Sequence, residues 1–121
     1  MRVIRLVLFA VIAMLLLAAC GGQAAPASAP AASNQVSVVV KEWAIEPKNL
    51  TAKAGDVTFS IKNTGNIEHD FSIEGTGKSD AILAAETKTL KVNLKPGTYN
   101  IICSLSGHKE AGMEGKLVVV P

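Results

Sequence analysis

The stretch LKPGTYNIICSLSGHKEAGMEGKLVVV, residues 94–120, begins and ends as strand and is something else in between. After the KPG turn, TYNIIC (98–103) places Tyr99, Ile101 and Cys103 on one side by alternation. KLVVV (116–120) is a β-branched run of the kind that fills a buried strand. The segment between them is rich in Gly, Ser and charge, and it is chemically loaded. It holds one of two histidines and one of three methionines, and it starts from one of two cysteines, so the grouping asks for a reason. Four residues separate Cys103 from His108, and four more separate His108 from Met113.

Outward from this stretch the same patterning repeats. VSVVVKEW (36–43) is β-branched, and DVTFSIKN (56–63) alternates Val57, Phe59 and Ile61 against polar partners before ending at NTGN. HDFSIEG (69–75) sets Phe71 and Ile73 on one face, and TKTLKVNL (87–94) does the same with Leu90, Val92 and Leu94. Period-two runs broken by Gly, Asn and Pro predict an all-β, antiparallel sandwich over residues 36–121. SDAILAAE (79–86) reads as a turn or two, or a loop, and no internal repeat is visible. Alternation also turns His69 to the same side as Phe71 and Ile73. His69 and Cys103 are therefore both expected to face inward, each at the end of its strand. Trp43 and Tyr99 are expected in the core. NLT (49–51) matches a glycosylation sequon, which carries no weight in a chain with a bacterial export signal.

The amino-terminal third is of another kind. Residues 1–19 have Arg2 and Arg5 first, then an apolar run from Leu6 to Leu17 and small residues, which is the build of a secretory signal peptide. The run is short for a membrane span, which needs about 20 apolar residues. Its ending, LAAC, resembles the lipobox of bacterial lipoproteins, which implies cleavage before Cys20 and a lipid on it. Residues 20–35 are this cysteine and GGQAAPASAPAASNQ (21–35), an uncharged Ala/Pro/Ser linker with little to bury. The expected product is a domain tethered to the outer face of a bacterial membrane or in the periplasm. Of twelve basic residues, Arg2 and Arg5 leave with the signal, so ten face ten acidic ones and no basic surface argues for nucleic acid.

A thiolate, two imidazoles and a thioether form a recognisable donor set. Sulfur donors select copper, above all Cu(I), and imidazole also suits Cu(II). Two His, one Cys and a weak Met make the ligand set of blue-copper electron-transfer sites. Taken singly, each residue has a plainer reading: a buried thiol is a small hydrophobe, a strand-end histidine a hydrogen-bonded surface group, and Met113 core filler. Cys20 could pair with Cys103, but it is claimed by the lipobox and sits on a loose tether. Zinc fits poorly, because thioether is a poor zinc ligand.

At these residues the chain resembles the small blue copper proteins, or cupredoxins, most of all the plastocyanin group and the membrane-attached auracyanins. EWAIEPKNLTAKAGDVTFSIKNTGNIEHDF is similar to their first half and LKPGTYNIICSLSGHKEAGMEGKLVVV to their ligand loop. The resemblance implies a Greek-key, cupredoxin-like sandwich holding one type 1 copper. Carried over by position, His69, Cys103 and His108 are the strong ligands and Met113 the axial one. Plastocyanins usually have two residues between the cysteine and the second histidine, whereas SLSG makes four here, which is more like auracyanin. Asp70 stands where plastocyanins commonly carry Asn, and in that role its side chain would bond near Ser104 and brace the cysteine loop.

The expected function is that of a monomeric, membrane-tethered electron carrier cycling between Cu(I) and Cu(II) with redox partner proteins of a respiratory or photosynthetic chain. It is not expected to be an enzyme. Copper oxidases and nitrite reductases need a second copper site with more histidines, and both histidines of this chain are already used. The competing expectation is copper storage or delivery without electron transfer.

Overall fold

The computed structural model describes residues 34–121. The expected signal peptide, the lipidated Cys20 and most of the linker lie outside the described residues. Nine strands follow in order: β1 (Gln35–Lys41), β2 (Ala44–Glu46), β3 (Asn49–Lys53), β4 (Gly55–Asn63), β5 (Ser72–Ile73), β6 (Gly77–Lys78), β7 (Thr87–Leu94), β8 (Gly97–Ile102) and β9 (Glu114–Val120). They form a four-stranded sheet in the order β2-β1-β4-β7 and a five-stranded one in the order β3-β9-β8-β5-β6. This is the all-strand sandwich that the alternation predicts. Within it most neighbours run antiparallel, but β1 and β4 pair in parallel, as do β3 and β9.

The pleat sorts the side chains as the sequence requires. In β4, Val57, Phe59, Ile61 and Asn63 are buried and none of the residues between them is. In β9, Gly115, Leu117 and Val119 are buried and their neighbours exposed. The two inner faces meet through Phe59 and Phe71, whose ring centroids lie 5.3 Å apart. Such a pair adds about 0.5–1.5 kcal/mol beyond the area it buries. Tyr99 is packed against this core with its hydroxyl donating to the Lys95 carbonyl at 2.9 Å. Trp43 is not in the core: it is 47% exposed, at the bend between β1 and β2.

Three elements bring distant sequence to one end of the second sheet. The entrance to β5, the exit of β8 and the start of β9 lie together because β8 pairs with both β5 and β9. His69 is tied just before β5 by a bridge to Ile82, donating its N–H at 3.1 Å and accepting the Ile82 N–H at 2.8 Å. Gly115 lets β9 pass close to the loop before β3. Any Cβ there would strike the Lys48 carbonyl, so only glycine fits.

Candidate metal centre

His69 and Cys103 are fully buried, as the alternation of their strands predicts. Nδ1 of His69 lies 3.2 Å from Nδ1 of His108, which lies 3.4 Å from Sγ of Cys103. One donor atom from each of the three side chains falls within 4.8 Å of the others. The sequence brings these residues together from positions 34 and 39 apart only because β5 and β8 are neighbours.

Met113 is also fully buried, at the far end of the ligand loop. Its backbone closes that loop: Cys103 N–H donates to the Met113 carbonyl at 3.0 Å, and Met113 N–H donates to the His108 carbonyl at 3.0 Å. Between them His108 N–H bonds to Leu105 and Ala111 N–H to Gly107, so the loop is a chain of turns held by its own backbone. Gly107 and Gly112 take positive φ, +82° and +118°, which a side chain there would resist. His108 itself is half-buried, so of the three clustered donors it alone reaches the surface.

Burial works against charge on Cys103 and His69. Burial pushes the Cys103 thiol above its ordinary value, against a partial offset from the Asp70 N–H that donates to Sγ at 3.4 Å. Burial, and then the neighbouring His108, lower the pKa of His69. A buried imidazole and a buried thiol, with a second imidazole at the surface beside them, are good company for a soft cation. The donor chemistry therefore fits copper better than zinc or a hard ion. The residues that would hold it are His69, Cys103 and His108.

The surroundings hold one residue that the resemblance points to, Asp70, and others, Lys78 and Asn63, that the sequence did not flag. Asp70 is buried and braces the cysteine loop as the resemblance implies. It accepts the Ser104 N–H and the Ser104 hydroxyl, both at 2.6 Å, and pairs with Lys78 at 3.2 Å. Burial works to raise its pKa, but the Ser104 bonds and Lys78 leave it below the ordinary value. Lys78 comes from β6, too short a strand to read from sequence. Asn63, buried at the end of β4, donates to the carbonyls of Ile67 and Ile82 at 2.7 and 2.8 Å and accepts the Gly65 N–H. It thereby fixes the loop that delivers His69. NTGN was legible as a turn, but the inward side chain was not.

Glu42 and Trp43 reach the centre from the β1–β2 bend. The Trp43 ring stands edge-on to both imidazoles, with centroids 6.5 Å from His69 and 5.0 Å from His108. Oε1 of Glu42 faces Nε2 of His69 at 3.7 Å. Its own backbone N–H holds the carboxyl below the usual range; burial pushes the other way, and the N–H groups of Ile67 and Asn66 add to the lowering.

Comparison with known proteins supports the fold and the family. A family model described as a cupredoxin-like domain matches residues 7–119. The copper-resistant cuproprotein CopI of Rubrivivax gelatinosus is 29% identical over 117 residues, which cover 78% of this chain and 71% of the relative. Among solved structures, dithionite-reduced auracyanin from Roseiflexus castenholzii has a TM-score of 0.67 at 20% identity, covering 74% of this chain and 98% of that one. Auracyanin A, a "blue" copper protein from Chloroflexus aurantiacus, has a TM-score of 0.61 at 24% identity, covering 70% of this chain and 98% of that one. At such identities the solved structures speak for the fold.

Proposed function

Because the chain belongs to the cupredoxin-like domain family, we propose that it is a membrane-tethered, extracytoplasmic electron carrier built around one copper ion. The observation that carries this reading is the convergence of His69, Cys103 and His108 within 4.8 Å. These three would hold the metal, and the buried Met113 would be the weak fourth donor. Copper bound there supplies a one-electron change between Cu(I) and Cu(II).

The part of the protein is to keep its donors still. His69 and Cys103 are locked by burial, and the loop of His108 and Met113 is held by backbone bonds at both ends. A donor set that cannot rearrange asks little reorganisation of an arriving electron. His108 offers the way to the surface, beside half-buried Leu105 and exposed Ala111 and Trp43. A redox partner docking on this apolar rim would come within a ring's width of the donors, with Lys109 and Glu110 setting its orientation. A lipid on Cys20 and the linker to residue 35 would hold the domain at the membrane. No substrate is chemically changed, so the reading is not enzymatic.

The likeness to a copper-resistant cuproprotein favours a second reading, copper storage or delivery. Delivery calls for an exchangeable ion, whereas a buried lone thiol in a pinned loop retains it. Stopped-flow electron exchange set beside copper release to a chelator tests this. The carrier reading predicts exchange much faster than release. Rapid copper loss with sluggish exchange would replace it with delivery.

A further inference from the structure

Among the described residues, the buried side-chain nitrogen or oxygen left without a hydrogen-bond partner is Nε2 of His69. It faces the Glu42 carboxylate at 3.7 Å, just beyond hydrogen-bond reach. That carboxylate sits in a built seat. The N–H groups of Asn66 and Ile67 both donate to its Oε1, at 2.7 and 2.8 Å. Gly65 completes the seat, because a methyl group at that position would run into the carboxylate. Three consecutive residues of the loop entering the His69 strand thus hold one side chain from a bend more than twenty residues earlier. The next residue, Trp43, lies edge-on to both imidazoles and covers the centre from the same bend. A glutamate serving only solubility would need none of this.

We propose that Glu42 is a positioning residue of the metal centre: its carboxylate accepts the Nε2–H of His69, fixing the ring in the tautomer whose bare Nδ1 faces His108 and Cys103, and places a negative charge behind the metal. This rests on the reading of His69 as a ligand. A carboxylate offers acceptors only, so the ring nitrogen that faces it must carry the hydrogen. Neutral imidazole has one N–H, and the opposite nitrogen is then free to ligate. An approach of about 0.7 Å closes the gap to an ordinary N–H···O bond. A carboxylate behind a ligating histidine makes it a stronger donor, and the added negative charge favours the more positive state of the metal.

Two measurements test this on the protein with Glu42→Gln, Glu42→Ala and Gly65→Ala, the last of which displaces the carboxylate without removing it. Glu46→Gln is the control, since it removes the same charge from the exposed neighbouring strand, where Glu46 pairs with Lys41. Long-range nitrogen–proton NMR of the metal-free protein reads the tautomer of His69. It should show Nε2–H in the unaltered protein and a mixture in Glu42→Ala and Gly65→Ala. In the copper-loaded protein, Glu42→Gln should lower the affinity for Cu(II) relative to Cu(I) about tenfold, a rise in reduction potential of about 59 mV. Glu46→Gln should leave the potential in place. Should Glu42→Ala fail to fold, the other two variants carry the test. An unchanged potential together with an unchanged tautomer overturns the proposal, even with the copper colour intact. A colourless unaltered protein would instead remove the copper reading, and the tautomer of the metal-free protein would still decide the role of Glu42.

Discussion

Replacing Asp70 by alanine tests whether the cysteine loop is braced from below. The Asp70 carboxylate accepts two short bonds from Ser104, one from its N–H and one from its hydroxyl. Hydrogen bonds to a charged group contribute about 1.5–3 kcal/mol each, and the exposure of Ser104 puts these two at the low end. The third contact, with Lys78, is worth less than about 1 kcal/mol, because the lysine side chain is 54% exposed. Asp70→Ala should therefore destabilise the metal-free protein by about 3 kcal/mol. Asp70→Asn should cost only about 1 kcal/mol, since its amide oxygen can still accept the Ser104 N–H. Urea unfolding followed by circular dichroism reads both, with an unchanged slope showing that stability alone has moved. The folded pKa of Asp70 lies below its ordinary 3.8, so the charge-dependent part of this stabilisation is present above that value. It is lost as the pH falls through the lower, folded value, and the gap between wild type and Asp70→Ala should narrow only in that acid range. A loss below about 1 kcal/mol in Asp70→Ala at neutral pH would refute the brace.

Asn63→Ala removes three hydrogen bonds at a fully buried position and takes a donor from the carbonyls of Ile67 and Ile82, the second of which keeps the His69 N–H. It should cost about 2–4 kcal/mol in the same unfolding assay, and a neutral result would mean that the loop before His69 is held elsewhere. Met113→Leu should keep the copper colour and raise the reduction potential, by about 59 mV if the Cu(II) to Cu(I) affinity ratio falls tenfold. Spectroelectrochemistry reads it, and a lowered potential would deny Met113 its axial role.

The long strands and the inward turn of His69 and Cys103 were legible because period-two alternation fixes which face is buried. Phe59, Phe71, Ile73 and Ile101 carry that signal without ambiguity. The pairing of β1 with β4 and of β3 with β9 was not legible, since parallel neighbours share no hairpin turn to announce them. β3 itself hides in NLTAK, where only Leu50 and Ala52 are buried. Trp43 was expected inside because large aromatics usually bury. It lies instead over the two imidazoles, where its ring edge is useful and its other side meets water. Glu42 carries no signal of its own in the sequence. Its partner is 27 positions away, and what joins them is the seat formed by residues 65–67, which exists only once the bend and the loop have folded together.

One sample decides the central claim that a single metal atom unites these donors. One equivalent of Cu(II) added to the metal-free protein should give an intense blue or green colour from sulfur bonded directly to copper, and Cys103→Ser treated alike should stay colourless. A colourless unaltered protein, or a serine variant that colours just as strongly, would contradict it.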